Sequence, residues 1–233
     1  MEQQKMLQII AKDANVEPKQ AQAVIGLLEE GNTVPFIARY RKEVTGSLDE
    51  VQIKAVEDRY HYIQQLETRK EEVVRLIDEQ GKLTEELQAS INAATVLQRV
   101  EDLYRPYKQK RRTKATIAKE RGLEPLAEQI LKFSKQSLEQ LANPFLNEEQ
   151  GVITIDDALT GARDILAERF ADDATVREKL RTLSWREGKL VTMLKNADKD
   201  EKQVFEMYYE YEEPVHRMAP HRTLAVNRGE KEE

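Results

Sequence analysis

Between Gly46 and Gly81 no glycine or proline interrupts the chain. At 1.5 Å per residue such a run can form a helix of about 50 Å. Val56, Tyr60, Ile63, Leu66, Val73, Val74 and Ile77 give it an apolar seam, while Glu67 and Lys70 break a strict heptad. The pattern predicts the spine of a helical bundle, with Ser47-Leu48-Asp49-Glu50 as a capping box at its start.

The flanking sequence supplies shorter amphipathic helices to pack on that spine. Residues 2–14 carry Met6, Leu7, Ile9 and Ile10, and Asn15 with Pro18 marks a stop and a restart. Ala21, Val24, Ile25 and Leu28 then recur at three and four, on a helix ended by Gly31. Pro35 opens a third, short helix through "PFIARYRKEV", stopped at Thr45-Gly46. Phe36, Ile37 and Tyr40 share its packed face, and Arg39 and Lys42 lie on the other.

Further helices are predicted over 84–93, 95–104, 123–135, 137–142 and 174–186, with Trp185 as a core or inter-helix filler in the last. Asp156 is expected to cap another, whose core face is Ile165, Leu166 and Phe170. Charged residues make up 34% of the chain, and period-2 strand signals hardly occur. The fold class expected is all-α, a multi-helix array with a helix-turn-helix-like N-terminal part.

Several classes of chemistry lack their residues. Cysteine is absent, which removes disulfides and thiolate metal sites. The N-terminus has no signal-peptide pattern, and no stretch approaches the roughly 20 apolar residues of a membrane helix, so a cytoplasmic protein with no membrane partner is expected. No GxGxxG, Walker or GxSxG motif occurs. His216 and His221 stand on a proline-broken segment, and Asp156-Asp157 and Asp172-Asp173 fit helix capping better than cation binding. No enzyme activity, metal or cofactor is expected.

Charge is distributed unevenly along the chain. The net charge is −6, yet from Arg105 to Arg121 eight cations face Glu120 alone, a net +7. Lysine and arginine at that density suit phosphate neutralisation, with Tyr104 and Tyr107 as candidate stacking faces. The competing reading is a solvated loop, or one paired with an acidic neighbour such as 198–213, where seven acids face Lys199 and Lys202. The corner at 31–50 adds Arg39, Arg41 and Lys42 to the candidates, as a packed corner with basic decoration in preference to a groove-reading helix. The candidate nucleic-acid-binding residues are therefore Arg39, Arg41, Lys42, Arg105, Lys108, Lys110, Arg111, Arg112 and Lys114. Exposure of Lys108, Lys110, Arg111 and Arg112 favours a nucleic-acid contact, whereas pairing with Asp or Glu favours a structural or protein-interaction scaffold.

"GNTVPFIARYRKEVTGSLDE", "VEDLYRPYKQKRRTKATIAKERGLEPLA" and "HRTLAVNRGE", in this order, resemble the Tex family of bacterial transcription accessory proteins. The resemblance covers essentially the whole chain. It implies an N-terminal helical region over 1–195, then an acidic, aromatic helix and linker over 196–233 entering a ribonuclease-H-like domain. In the family, helix-hairpin-helix elements and an OB-fold RNA-binding domain follow. The resemblance implies RNA or DNA as a partner, weakly for this segment, and RNA polymerase or other transcription proteins as a second class of partner. No catalytic residue transfers. Pro35, Phe36, Ile37, Arg39, Tyr40 and Arg41, and Arg105, Pro106, Tyr107, Lys110, Arg111 and Arg112, transfer as architectural positions.

Overall fold

Asp49, not Ser47, starts the long helix. In the computed structural model, which describes residues 3–133, 135–196, 200 and 202–232, Gly46 and Ser47 are both left-handed, at φ 66° and 63°. Ser47 is therefore spent on the turn and cannot cap. Asp49 takes its place: its carboxylate accepts from the Gln52 amide at 2.8 Å, and the Gln52 side chain accepts from the Asp49 amide at 3.2 Å.

The chain divides into two compact units, Met1–Tyr107 and Lys108–Glu233. The first contains α1 (Gln3–Asp13), α2 (Pro18–Glu29), α3 (Val34–Tyr40), α4 (Lys42–Thr45), α5 (Glu50–Asp78), α6 (Glu85–Ala93) and α7 (Leu97–Tyr104). With 29 residues, α5 is about 43 Å long and serves as the expected spine. Its first half packs Ile53, Val56, Tyr60 and Ile63 against Ile10, Val24 and Ile37. Its second half packs Leu66, Val73 and Ile77 against Ile91, Val100 and Tyr104. Glu67 and Lys70, which interrupt the apolar repeat, have a structural use: the buried Lys70 ammonium donates to Glu67 at 2.8 Å and to the Asn92 carbonyl at 3.0 Å.

A second polar contact closes the first core. The Tyr60 hydroxyl donates to the Glu29 carboxylate, and this bond, aided by burial, pushes the phenol up to about 12. An unfolded tyrosine ionises near 10, so the contribution to stability is complete below about pH 10 and is lost as pH rises towards 12. Tyr60→Phe is expected to remove this component of alkaline unfolding. Identical alkaline stability profiles for the two proteins would contradict the assignment.

The second unit contains α8 (Lys114–Glu120), α9 (Glu124–Leu131), α10 (Leu138–Ala142), α11 (Ile155–Asp172), α12 (Ala174–Glu187) and α13 (Pro220–Glu232), with β1 (Lys189–Met193) and β2 (Glu210–Pro214). Ala115, Ala118, Ala127, Ala142, Ala158 and Ala162 make much of its core, so the helices approach closely. Gly161 marks the tightest place: a Cβ there would lie 2.3 Å from Leu123 Cδ1 and 3.3 Å from Ala118 Cβ. Thr154, two residues before the expected Asp156, caps α11; its hydroxyl accepts from the Asp157 amide, and Asp157 accepts from the Thr154 amide. The Thr154 hydrogen bonds hold the Asp157 carboxyl below the usual carboxylate range. Phe170 and Trp185, expected in the core, are exposed, because Ala158, Ala162 and Ile165 define the buried stripe of α11 and no residue of α12 is buried.

The all-α class holds with one addition, a single antiparallel hairpin among the described residues. Lys189 pairs with Pro214 and Met193 with Glu210. The acidic, aromatic helix expected near 198–213 is replaced by a short 3-10 turn, Glu206–Tyr208, and by β2. Strand geometry suits "EYEEP", which alternates exposed Glu210 and Glu212 with half-buried Tyr211 and Glu213. Arg222 of α13 reaches back to Glu213 with both Nε and Nη2, at 2.9 and 2.6 Å, so the segment after Pro214 folds instead of running out. Asp198, Lys199 and Glu201 of the acidic stretch lie outside the described residues. No helix is long and apolar enough to cross a membrane among the described residues.

Candidate nucleic-acid interface

The basic stretch changes character at the junction of the two units. In the first, Arg105–Tyr107 forms a 3-10 turn that continues α7. Arg105 is exposed and has a partner within the structure. Tyr104 is 9% exposed, with the Arg69 guanidinium 5.4 Å from its ring, and Tyr107 packs at the edge of the same core. Neither tyrosine presents the stacking face expected of it. Tyr104 is buried on the side of α7 that meets α5 and α6, and Tyr107 is half-buried in the turn that follows.

In the second unit, residues 108–113 form a loop without regular structure, held at two points to α11. Lys110 pairs with Asp172 and lies 3.4 Å from Glu168. Thr113 donates to Glu168 at 3.0 Å and caps α8 by accepting from the Thr116 amide. Arg112 pairs with Glu120 at 2.7 Å in an exposed ion pair. Lys108, Arg111 and Lys114 are exposed and form no ion pair among the described residues.

The stretch thus divides by pairing. Lys110 and Arg112 are committed to carboxylates and shape the loop, whereas Lys108, Arg111 and Lys114 have no carboxylate partner among the described residues. The acidic neighbour anticipated for the basic residues is α11 and Glu120, not the described part of 198–213.

The corner at α3 departs from the sequence expectation at Phe36 and Tyr40, while Ile37 is buried and Arg39 and Lys42 are exposed as expected. Val34 and Ile37 supply its buried face, and Ile37 is fully enclosed. Phe36 and Tyr40, four residues apart, share a side that flanks Ile37 and are 37% and 63% exposed. Their rings lie 5.2 Å apart, and the Arg41 guanidinium sits 5.6 Å from the Phe36 centroid. Arg39, Arg41 and Lys42 are exposed with no ion pair among the described residues. Phe36 and Tyr40 were legible as a pair from their i,i+4 spacing; placing them outside required knowing that α3 has only seven residues and needs only Val34 and Ile37 to anchor it.

Among the described residues no cluster of three or more His, Asp or Glu side chains is placed to hold a metal ion. A pocket of about 810 Å³ lies between the hairpin and α13, lined by apolar side chains such as Leu190, Phe205 and Val226 and by charged ones such as Asp200, Lys202 and Glu230.

Two family models match the chain: the Tex-like protein N-terminal domain over residues 4–78 and the Tex central region-like model over 134–233. The chain is 54% identical over 228 residues to a Bacillus subtilis (strain 168) protein, uncharacterised YdcI, covering 97% of this chain and 32% of that one. It is 45% identical over 224 residues to the transcriptional accessory protein Tex of Neisseria gonorrhoeae, covering 96% and 29%. A human relative, S1 RNA-binding domain-containing protein 1, is 30% identical over 234 residues, covering 97% and 23%. The chain therefore spans about a third or less of the length of these curated relatives.

Proposed function

Because the chain belongs to the Tex family, we propose that it is a non-catalytic helical module of a transcription accessory protein that contacts nucleic acid through its phosphates. The observation that carries this reading is the separation of roles in the loop 108–114. Ion pairs to α11 and Glu120 fix Lys110 and Arg112, and the charges of Lys108, Arg111 and Lys114 remain uncompensated within the described residues. A cation held on a shaped loop with no internal partner gains most from an external phosphate, because counterions are released when it binds. Contacts of this kind position a partner without reading its sequence.

The name of the human relative, with its S1 RNA-binding domain, supports RNA as a partner of the longer protein. In this reading the present segment adds auxiliary phosphate contacts, and the protein works in the cytoplasm. A second reading has support in the second unit itself. Leu180, Leu183 and Trp185 of α12 and Val191 and Met193 of β1 are exposed apolar side chains, as a protein-interaction scaffold would present to RNA polymerase or another transcription protein.

Fluorescence anisotropy with labelled single-stranded RNA and duplex DNA over a salt series separates the two. Changing Lys108, Arg111 and Lys114 to Gln is expected to weaken binding about tenfold near 0.1 M salt and to reduce the log–log salt slope by about 2. Unchanged affinity and slope in the folded variant would move the phosphate contact elsewhere. No binding by the original chain at low salt would leave the scaffold reading.

A further inference from the structure

The aromatic pair on α3 has chemistry that phosphate contact alone does not use. Phe36 and Tyr40 are large, exposed and mutually in contact on the first unit, whose two cores are complete without them. Three cations with no ion pair among the described residues, Arg39, Arg41 and Lys42, lie within two residues of Tyr40 along the chain. Arg41 has its guanidinium at cation–π distance from Phe36, which leaves its charge unneutralised beside the ring.

An occupant must therefore offer flat π faces and negative charge at close spacing. A duplex hides its base faces in the stack, and an apolar peptide leaves the three cations unanswered. Single-stranded nucleic acid offers unstacked bases and a phosphate for each. We propose that Phe36 and Tyr40 form a stacking platform for unpaired bases, with Arg39, Arg41 and Lys42 holding the adjoining phosphates.

This rests on the nucleic-acid reading above but assigns it a separate surface and a strand preference. The platform takes bases of RNA or DNA alike, since nothing in the pair reads a 2′-hydroxyl. It requires no base identity, because every base has a π face.

The test uses the 233-residue chain with four labelled probes of equal length: single-stranded RNA, single-stranded DNA, duplex DNA and an abasic single strand. Phe36→Leu with Tyr40→Leu keeps apolar bulk and removes the π faces; Phe36→Ala with Tyr40→Ala removes both. Each double variant is expected to bind the two base-bearing single strands about tenfold more weakly, with duplex and abasic binding unchanged. Tyr40→Phe retains the platform and is expected to bind all four probes as the original does.

Equal affinity of the leucine variant for base-bearing strands would overturn the proposal and leave the pair to a protein partner. So would an equal loss on the abasic strand. The variant of Lys108, Arg111 and Lys114 distinguishes the broader reading, because it is expected to weaken all four probes together. If the original chain binds none of them at low salt, both ideas fail; if it binds and only the leucine variant is silent, this one alone fails.

Discussion

Replacing Ile53 with Ala is expected to destabilise the first unit by about 2–5 kcal/mol, the range for emptying a fully buried aliphatic site. Ile53 is 0% exposed and stands one turn into α5, where its side chain meets the core that α1, α2 and α3 share. The loss combines the removed transfer free energy with the cavity that rigid neighbours leave behind. In urea it should appear as a midpoint shift on the order of 1–2 M with little change in slope. Val51→Ala is the internal control: Val51 is two residues away on the same helix but 78% exposed, so its change should stay within about 0.5 kcal/mol. Similar shifts for the two substitutions would contradict the burial pattern of the spine.

The buried ammonium of Lys70 gives the second large effect, and its size depends on which partner is removed. Glu67→Ala leaves Lys70 with the Asn92 carbonyl as its remaining described acceptor, and a cost of about 3 kcal/mol is expected for an ion that has lost its counter-charge. Lys70→Met removes the more deeply buried charge, keeps an unbranched apolar chain and leaves Glu67, whose side chain is 27% exposed, within reach of water, so it should cost less than Glu67→Ala. Thermal or urea unfolding of both variants measures the difference directly. If Lys70→Met proves as harmful as Glu67→Ala, the pair contributes binding energy that its desolvation does not cancel.

Much of this architecture was readable because it depends on local rules. The absence of Gly and Pro between 46 and 81 specified the spine, and the apolar repeat placed Val56, Ile63, Leu66 and Ile77 on its inner face. Errors arose where two local rules competed. Ser47 and Asp49 both satisfy a capping pattern, and the left-handed backbone at Ser47 decided between them. Trp185 and Phe170 are apolar enough for a core, but the buried stripe of α11 runs through Ala158, Ala162 and Ile165, and α12 buries none of its residues.

The binding surface was less legible than the fold. Sequence located the cations but not their partners, because the carboxylates that neutralise Lys110 come from α11, some sixty residues away in the chain. The aromatic assignments were exchanged for a similar reason: whether a Tyr beside a cation is inside or outside depends on which helix face meets the rest of the unit. Tyr104 meets α5 and is buried, while Tyr40 meets solvent.

The long helix also limits where this part of the polypeptide can be cut. The N-terminal family match ends at residue 78, with α5 itself, yet the far half of that helix is covered by residues further on, among them Ile91, Ala94, Val100 and Tyr104. A fragment stopped there would retain the helix but leave Leu66, Val73 and Ile77 as a bare adhesive stripe, prone to self-association. The end of the N-terminal family match and the end of the first compact unit thus differ by about one helical hairpin, so a fragment meant to keep this core closed should run through Tyr107.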